Sequence, residues 1–363
     1  MHYNPFSYAN EYLTFAALES GTFTFTPQNS NVISYSIDNG ETWTEGNSVQ
    51  VSNGDKVMWK GIMTPIEYKG IGKFSSTGNF DVQGNAMSLL FGDNFKGQTD
   101  LTGKDFAFYG LFQNNKKMIS AENLLLPATT LANCCYTDMF ISCANLVMTP
   151  ELPATTLANS CYQEMFYGCT SLTTVPELPA TILADACYIS MFRDCKGLTT
   201  APKLPAKTLA SYCYSEMFYN CTSLTTAPEL PATTLASYCY KSMFQDCTRL
   251  VTAPSVLPAT TLTSRCYQYM FEGCASLTTA PELPATTLVS YCYYEMFNAC
   301  RKLNYIKAMF TTTPSGSSPN YYTSNWVSGV ASTGTFVKNS AATWNVTGAN
   351  GVPTGWTVET ESV

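Results

Sequence analysis

Histidine is almost missing from this chain: among 363 residues there is one, His2, at the extreme start. That leaves almost no room for Ser-His-Asp or Cys-His catalysis, or for a metal held by imidazoles. Charge is also scarce. Charged residues make up 12% of the sequence, about half the usual globular share. The net charge is −7 and no cluster of Lys and Arg occurs, which argues against nucleic acid as a partner. No run approaches 18 apolar residues, so no membrane insertion is expected. The stretch 1–15 lacks the basic start and apolar run of a secretory leader. Glycine-rich phosphate loops and Cys-x2-Cys knuckles are absent too, so neither cofactor nor metal is expected. What is plentiful is apolar surface: 45% of residues are hydrophobic and 13% aromatic, enough for a large core and too much for a disordered chain.

Self-similarity dominates the rest. The pattern Leu-x-x-x-Cys-Tyr-x-x-Met-Phe-x-x-Cys-x-x-Leu begins at Leu131, Leu157, Leu183, Leu209, Leu235, Leu262 and Leu288, with a period of 26 residues and one step of 27. The extra residue lies between Pro254 and Pro258, a position that reads as a loop. Seven positions are identical in every copy, while those between them drift. On a helical wheel at about 100° per residue, Leu157, Ala158, Cys161, Tyr162, Met165 and Phe166 share one half-circle and the drifting positions take the other. This predicts an amphipathic helix, with Thr155-Thr156 capping it and Pro153 ending the element before. The following Ser-Leu-Thr-Thr-Val, stopped by Pro176, predicts a strand. The expected fold class is therefore an α/β solenoid of strand-turn-helix rungs. No single rung can bury its own apolar half, so stacking is required.

Leu-Pro-Ala-Thr-Thr-Leu followed by Met-Phe-x-x-Cys and Ser-Leu-Thr-Thr resembles the BspA-like leucine-rich repeat of bacterial surface proteins, over about residues 104–305. The chain departs from that pattern in having Met-Phe where many relatives have Ala-Phe, and in adding a Cys-Tyr pair to each copy. The resemblance implies a leucine-rich-repeat-like stack and a role in adhesion, receptor binding or scaffolding. Outside the seven repeats of 131–305, residues 1–75 predict a small β-sandwich with a hairpin turn at Asp38-Asn39-Gly40 and Trp43 and Trp59 as anchors. Residues 76–130 predict a linker and a capping rung around Phe108–Phe112. Residues 306–363 predict a β-rich cap that buries Trp326, Trp344, Trp356 and Phe336.

Two kinds of site residue follow. The structural ladder comprises Cys135, Cys161, Cys187, Cys213, Cys239, Cys266 and Cys292 with Phe140, Phe166, Phe192, Phe218, Phe244, Phe271 and Phe297. Cys-x7-Cys along a helix spans about 12 Å, too far for a disulfide within a repeat. Distance alone allows pairing between adjacent rungs, and the cysteines are read as a column of buried, reduced thiols acting as compact hydrophobes. The invariant tyrosines read as stacked rings with hydroxyls at the rim. The drifting face carries the ligand-binding candidates Tyr167, Tyr212, Tyr219, Tyr238, Tyr269, Tyr291 and Tyr294, suited to sugars or a protein partner. Glu151, Glu177, Glu229 and Glu282 recur after the strand, interrupted by Lys203 and Ser255, and read as solvated rung edges rather than a catalytic pair. No catalytic residue is assigned.

The expected function is non-enzymatic recognition of a host cell-surface glycan or protein through the repeats. Chains with a β-domain and such repeats look like those of phages of Bacteroides-type hosts. We therefore expect a virion fibre or decoration protein at the virion surface, docked to other virion proteins through residues 1–75. A bacterial cell-surface adhesin is the alternative, and a carboxylate-dependent polysaccharide-degrading enzyme stands behind both. A homo-oligomer is the expected assembly.

Overall fold

The computed structural model describes residues 11–361; His2 and most of the 1–15 stretch lie outside them. The chain divides into two compact units, Met1–Pro179 and Ala180–Val363. In the first unit, strands β1 (Leu13–Ala17), β2 (Gly21–Pro27), β3 (Ile33–Ser36), β4 (Thr44–Glu45), β5 (Ser48–Val51), β6 (Lys56–Gly61), β7 (Gly72–Ser76) and β8 (Phe80–Asn85) precede a single helical turn, α1 (Ser88–Phe91). Strand β9 (Met118–Leu125) follows. They form a six-stranded sheet, β4-β3-β6-β1-β8-β9, and a three-stranded sheet, β5-β2-β7. Alternating Phe23 and Phe25 on β2 turn inward, because successive strand residues face opposite sides. They meet Phe15, Trp59, Phe74 and Phe80 in one aromatic core, with ring centroids 4.7–5.7 Å apart. The sheets thus take in Phe80–Asn85 and Met118–Leu125, beyond residue 75.

The β3–β4 connection turns at Asn39 and Gly40, both with positive φ. The Asp38 carboxylate accepts from the Thr42 amide and from the hydroxyls of Ser36 and Thr42, which hold it down at about 2. Trp59 is fully buried. Trp43 instead lies half-buried beneath the Lys60 ammonium, 4.2 Å from its ring.

The repeats are not helical, and this corrects the strand-turn-helix reading: the fold is almost entirely β, and among the described residues α1 is the one short α-helix. Where a helix was expected, each repeat runs as a ribbon of tight turns. Every fourth residue is left-handed: Cys134, Asp138 and Ser142 in the first repeat, with φ of 53–58°, and Tyr212, Glu216 and Asn220 in the fourth. Alternate amides close local turns, Met139 to Tyr136 and Ile141 to Asp138. The amides between them, of Tyr136, Asp138 and Phe140, donate to Cys161, Gln163 and Met165 of the next rung at 2.9–3.0 Å. In the first repeat local turns use even-numbered carbonyls and the preceding rung uses odd ones, and from the sixth repeat on the parity is exchanged by the one 27-residue step. Alternate carbonyls thus serve different partners, and the ribbon satisfies its buried backbone almost completely. That accounting explains why it needs neighbours.

Thr155-Thr156 caps no helix. The residue before the repeat's first Leu can instead bridge to the adjacent rung, as Thr208 does to Thr234. The Ser-Leu-Thr-Thr stretch makes isolated parallel bridges (Thr200 to Thr226, Thr226 to Thr252) rather than a full strand.

Both units extend the ribbon past the recognisable repeats. In the first, Phe106, Gly110 and Asn114 are left-handed, and the amides of Phe108 and Phe112 donate to Cys135 and Met139. Phe108 stacks on Tyr136, and Phe112 stacks on both Phe140 and Phe74 of β7. This rung therefore joins the sandwich core to the repeats. In the second, Tyr321, Asn325 and Gly329 repeat the left-handed pattern, and the carbonyls of Asn320, Tyr322, Ser324, Trp326 and Ser328 accept from the seventh repeat. Strands β10 (Tyr305–Ala308), β11 (Thr335–Asn339) and β12 (Thr357–Glu361) form a parallel sheet in that order, and Thr279 bridges to Tyr305. Residues 306–361 are thus further, degenerate rungs. Trp326, Trp344, Trp356 and Phe336 are buried there.

Candidate functional site: the two outer faces of the rungs

The invariant residues are the inside of the ribbon. Cys135, Tyr136, Met139, Phe140 and Cys143 are at most 1% exposed, and so are their counterparts in the other copies apart from Tyr240 at 2%. In the second unit Tyr188, Tyr214, Tyr240, Tyr267 and Tyr293 stack at 5.8–5.9 Å. Phe192, Phe218, Phe244, Phe271 and Phe297 stack at 5.5–5.7 Å. The tyrosine hydroxyls do not reach a rim: those of Tyr136 and Tyr267 are buried without a hydrogen-bond partner. All fifteen cysteines are free thiols. Burial pushes Cys187, Cys239 and Cys247 up to about 12. The second cysteine of each rung has a definite role. Cys143, Cys221, Cys247 and Cys274 each donate to the carbonyl of the preceding rung's Phe at 3.0–3.1 Å. In the rung before the repeats Asn115 substitutes, reaching the Phe74 carbonyl at 3.5 Å.

The left-handed positions of the repeats are all drifting ones, and apart from buried Ser190 and Ser242 they lie along the ribbon's outer columns. Tyr212, Tyr238, Arg265, Tyr291 and Tyr321 occupy one column. Tyr212 and Tyr238 stack at 4.4 Å, the Arg265 guanidinium lies 5.2 Å from Tyr238 and 4.5 Å from Tyr291, and Tyr291 stacks on Tyr321 at 5.1 Å. Arg265 also donates to the Tyr238 hydroxyl. Ring faces within this row are covered by neighbours, so it offers outward edges, hydroxyls and one cation rather than flat platforms. Tyr269 and Tyr294 stand on adjoining columns, edge to face at 5.3 Å, and Tyr294 reaches Tyr291 at 5.5 Å. Tyr219 stands apart under the Arg193 guanidinium, at 4.3 Å. Tyr167 belongs to the first unit, half-buried. Five of the seven candidates, Tyr212, Tyr238, Tyr269, Tyr291 and Tyr294, therefore form one contiguous group with Arg265.

The repeat comparison did not single out the carboxylates between these rings. Arg193 and Lys241 both pair with Glu216. One amide nitrogen, Asn298 Nδ2, donates to both Glu272 (3.1 Å) and Glu295 (3.3 Å), and Gln245 donates to Glu272 at 2.7 Å. Burial and the nearby Glu295 push Glu272 up to about 7. In the first unit, burial raises Asp138 to about 6 against a hydrogen bond from Tyr109. No group of three His, Cys, Asp or Glu among the described residues is placed to hold a metal ion.

The opposite rung edge is grooved. A trough of about 560 Å³ in the first unit is lined by Met148–Pro153 and Thr174–Pro179 segments with Glu122. The matching positions 199–205 and 225–231 of the second unit line one of about 580 Å³. Glu151 and Glu177 flank the first, Lys203 and Glu229 the second. Glu229 accepts from the amide and hydroxyl of Ser255, and Glu282 pairs with Lys307. Among the described residues no helix is long and apolar enough to cross a membrane. No family profile, curated protein or solved structure matches the chain.

Proposed function

We propose that the chain is a non-catalytic recognition protein that binds a host cell-surface protein or glycan through the outer faces of its rungs. The supporting observation is the division of labour within the repeat. Identical residues are spent on the interior, while the left-handed corners vary and align as Tyr212, Tyr238, Arg265, Tyr291 and Tyr321. A polar, aromatic row held at fixed spacing by a rigid backbone loses little entropy on binding. The likeness of the repeats to BspA-like surface repeats supports the same reading, and we place the protein at the virion surface as a phage fibre or decoration protein, with a bacterial adhesin as the second reading. The sandwich would face other virion proteins and the rungs the host.

The test is binding of the labelled full chain to intact bacterial cells, before and after protease or periodate treatment, with gold-labelled antibody locating the chain on phage particles or on cells. Saturable binding removed by one treatment supports recognition, and label on tails or capsids supports the virion assignment. Release of new reducing ends from bound polysaccharide would instead identify an enzyme.

A further inference from the structure

We propose that the trough of the first unit takes an extended, basic segment of a partner polypeptide. This deepens the recognition reading and rests on it, by naming what one of the faces binds. The walls are two copies of the (Thr/Val)-Pro-Glu-Leu-Pro edge, containing Pro150, Pro153, Pro176 and Pro179. Proline has no N–H and a fixed φ, so these walls are stiff and poor in backbone donors. The apolar part of the lining includes Met148, 39% exposed, and Val175. Three exposed carboxylates, Glu122, Glu151 and Glu177, come from three successive rungs. None of them takes part in an ion pair among the described residues, whereas Glu216 and Glu282 do.

An acceptor-rich, donor-poor trough with uncompensated negative charge selects an occupant that brings donors, cations and aliphatic stems. Lysine and arginine supply all three. No aromatic ring lines the trough, so it lacks the stacking surface on which a sugar ring would rest. Rungs about 4.8 Å apart lie within the flexible reach of cations set about 6 Å apart on alternate residues of a polyproline II segment. The equivalent trough of the second unit is an internal contrast, since Lys203 replaces one carboxylate and Ser255 engages Glu229.

The probe is a fluorescein-labelled decapeptide of alternating lysine and proline, with its glutamate–proline counterpart as the control. Fluorescence anisotropy is read with the full chain at low and high salt. The lysine peptide should bind and the glutamate peptide should not. Glu122→Gln/Glu151→Gln/Glu177→Gln should weaken binding about tenfold or more, as three screened pairs of about 0.5 kcal/mol each imply. Added salt should do the same. The three positions are exposed, so the thermal midpoint should stay put. Equal binding by the triple variant, equal binding of both peptides, or no binding of either overturns the proposal. Cell binding by the triple variant at the unmodified chain's level, or displacement from the trough by a neutral glucan and not by the peptide, also overturns it and leaves the recognition reading standing. Peptide binding without any cell binding removes the recognition reading instead.

Discussion

Replacing Ala299 by glycine separates the turn ribbon from a helix by the sign of its effect. Ala299 has φ of 61°, and its amide donates to the Ser328 carbonyl at 2.7 Å. An L-residue held left-handed carries about 1–2 kcal/mol of steric cost that glycine does not. Glycine's freer unfolded chain takes back about 0.4–1 kcal/mol. The net expectation is a gain of about 0.5–1 kcal/mol. The equivalent positions of other repeats are already Gly168 and Gly273, both with positive φ, so this backbone accepts the residue. In a helix interior the same substitution loses about 0.8–1.0 kcal/mol. Ala210→Gly is the control: its position is not left-handed, and it should lose about 0.5–1 kcal/mol. Urea unfolding of both variants beside the unmodified chain, with the slopes compared, gives the answer. A lower midpoint for Ala299→Gly, by as much as for Ala210→Gly, refutes the ribbon.

Three other outcomes follow from the same structure. Phe218, fully buried between Phe192 at 5.7 Å and Phe244 at 5.6 Å, should cost about 3–5 kcal/mol as alanine and less as leucine, read by denaturant unfolding; a loss under 1 kcal/mol contradicts the ladder. A thiol reagent should count fifteen thiols after denaturation without reductant, but in the native protein only half-buried Cys134, because thiolates are the reactive form and burial disfavours them; several fast native thiols contradict this. Glu272, raised in the folded chain to about 7 from an ordinary carboxyl value, makes folding bind a proton. Its contribution to stability should therefore be full below about 4.5 and be lost as pH rises through about 7, and thermal midpoints of Glu272→Gln should depend less on pH across that window; an unchanged profile contradicts the assignment.

The stacked repeat and its buried set were legible because the copies serve as their own comparison. The local conformation was not. Cys161, Met165 and Cys169 recur every four residues, as do Tyr162 and Phe166. On a helical wheel a step of four drifts only about 40°, so three steps stay inside the apolar half-circle and imitate an amphipathic helix. The distinguishing signal lay in the drifting positions. Gly168, Asp194, Asn220, Asp246 and Gly273 are residue types that tolerate the left-handed region, and they recur where a long helix would disfavour them. The rungs flanking the repeats were obscured because Asn115 and Tyr322 stand at cysteine positions while their backbones keep the ribbon's bonds. Among the candidate residues, sequence separated inner tyrosines from outer ones. It could not show that Tyr212 and Tyr238 cover each other, nor that Glu151 joins Glu122 at one trough, because both depend on which side chains meet across rungs.

Far-UV circular dichroism of the intact chain addresses the central claim, that invariant side chains are buried by stacked turn ribbons. The account predicts a spectrum without the double minimum of α-helix, since Ser88–Phe91 is the only α-helical segment among the described residues. A strong helical double minimum, of the size that seven helices of about a dozen residues would give, would contradict it.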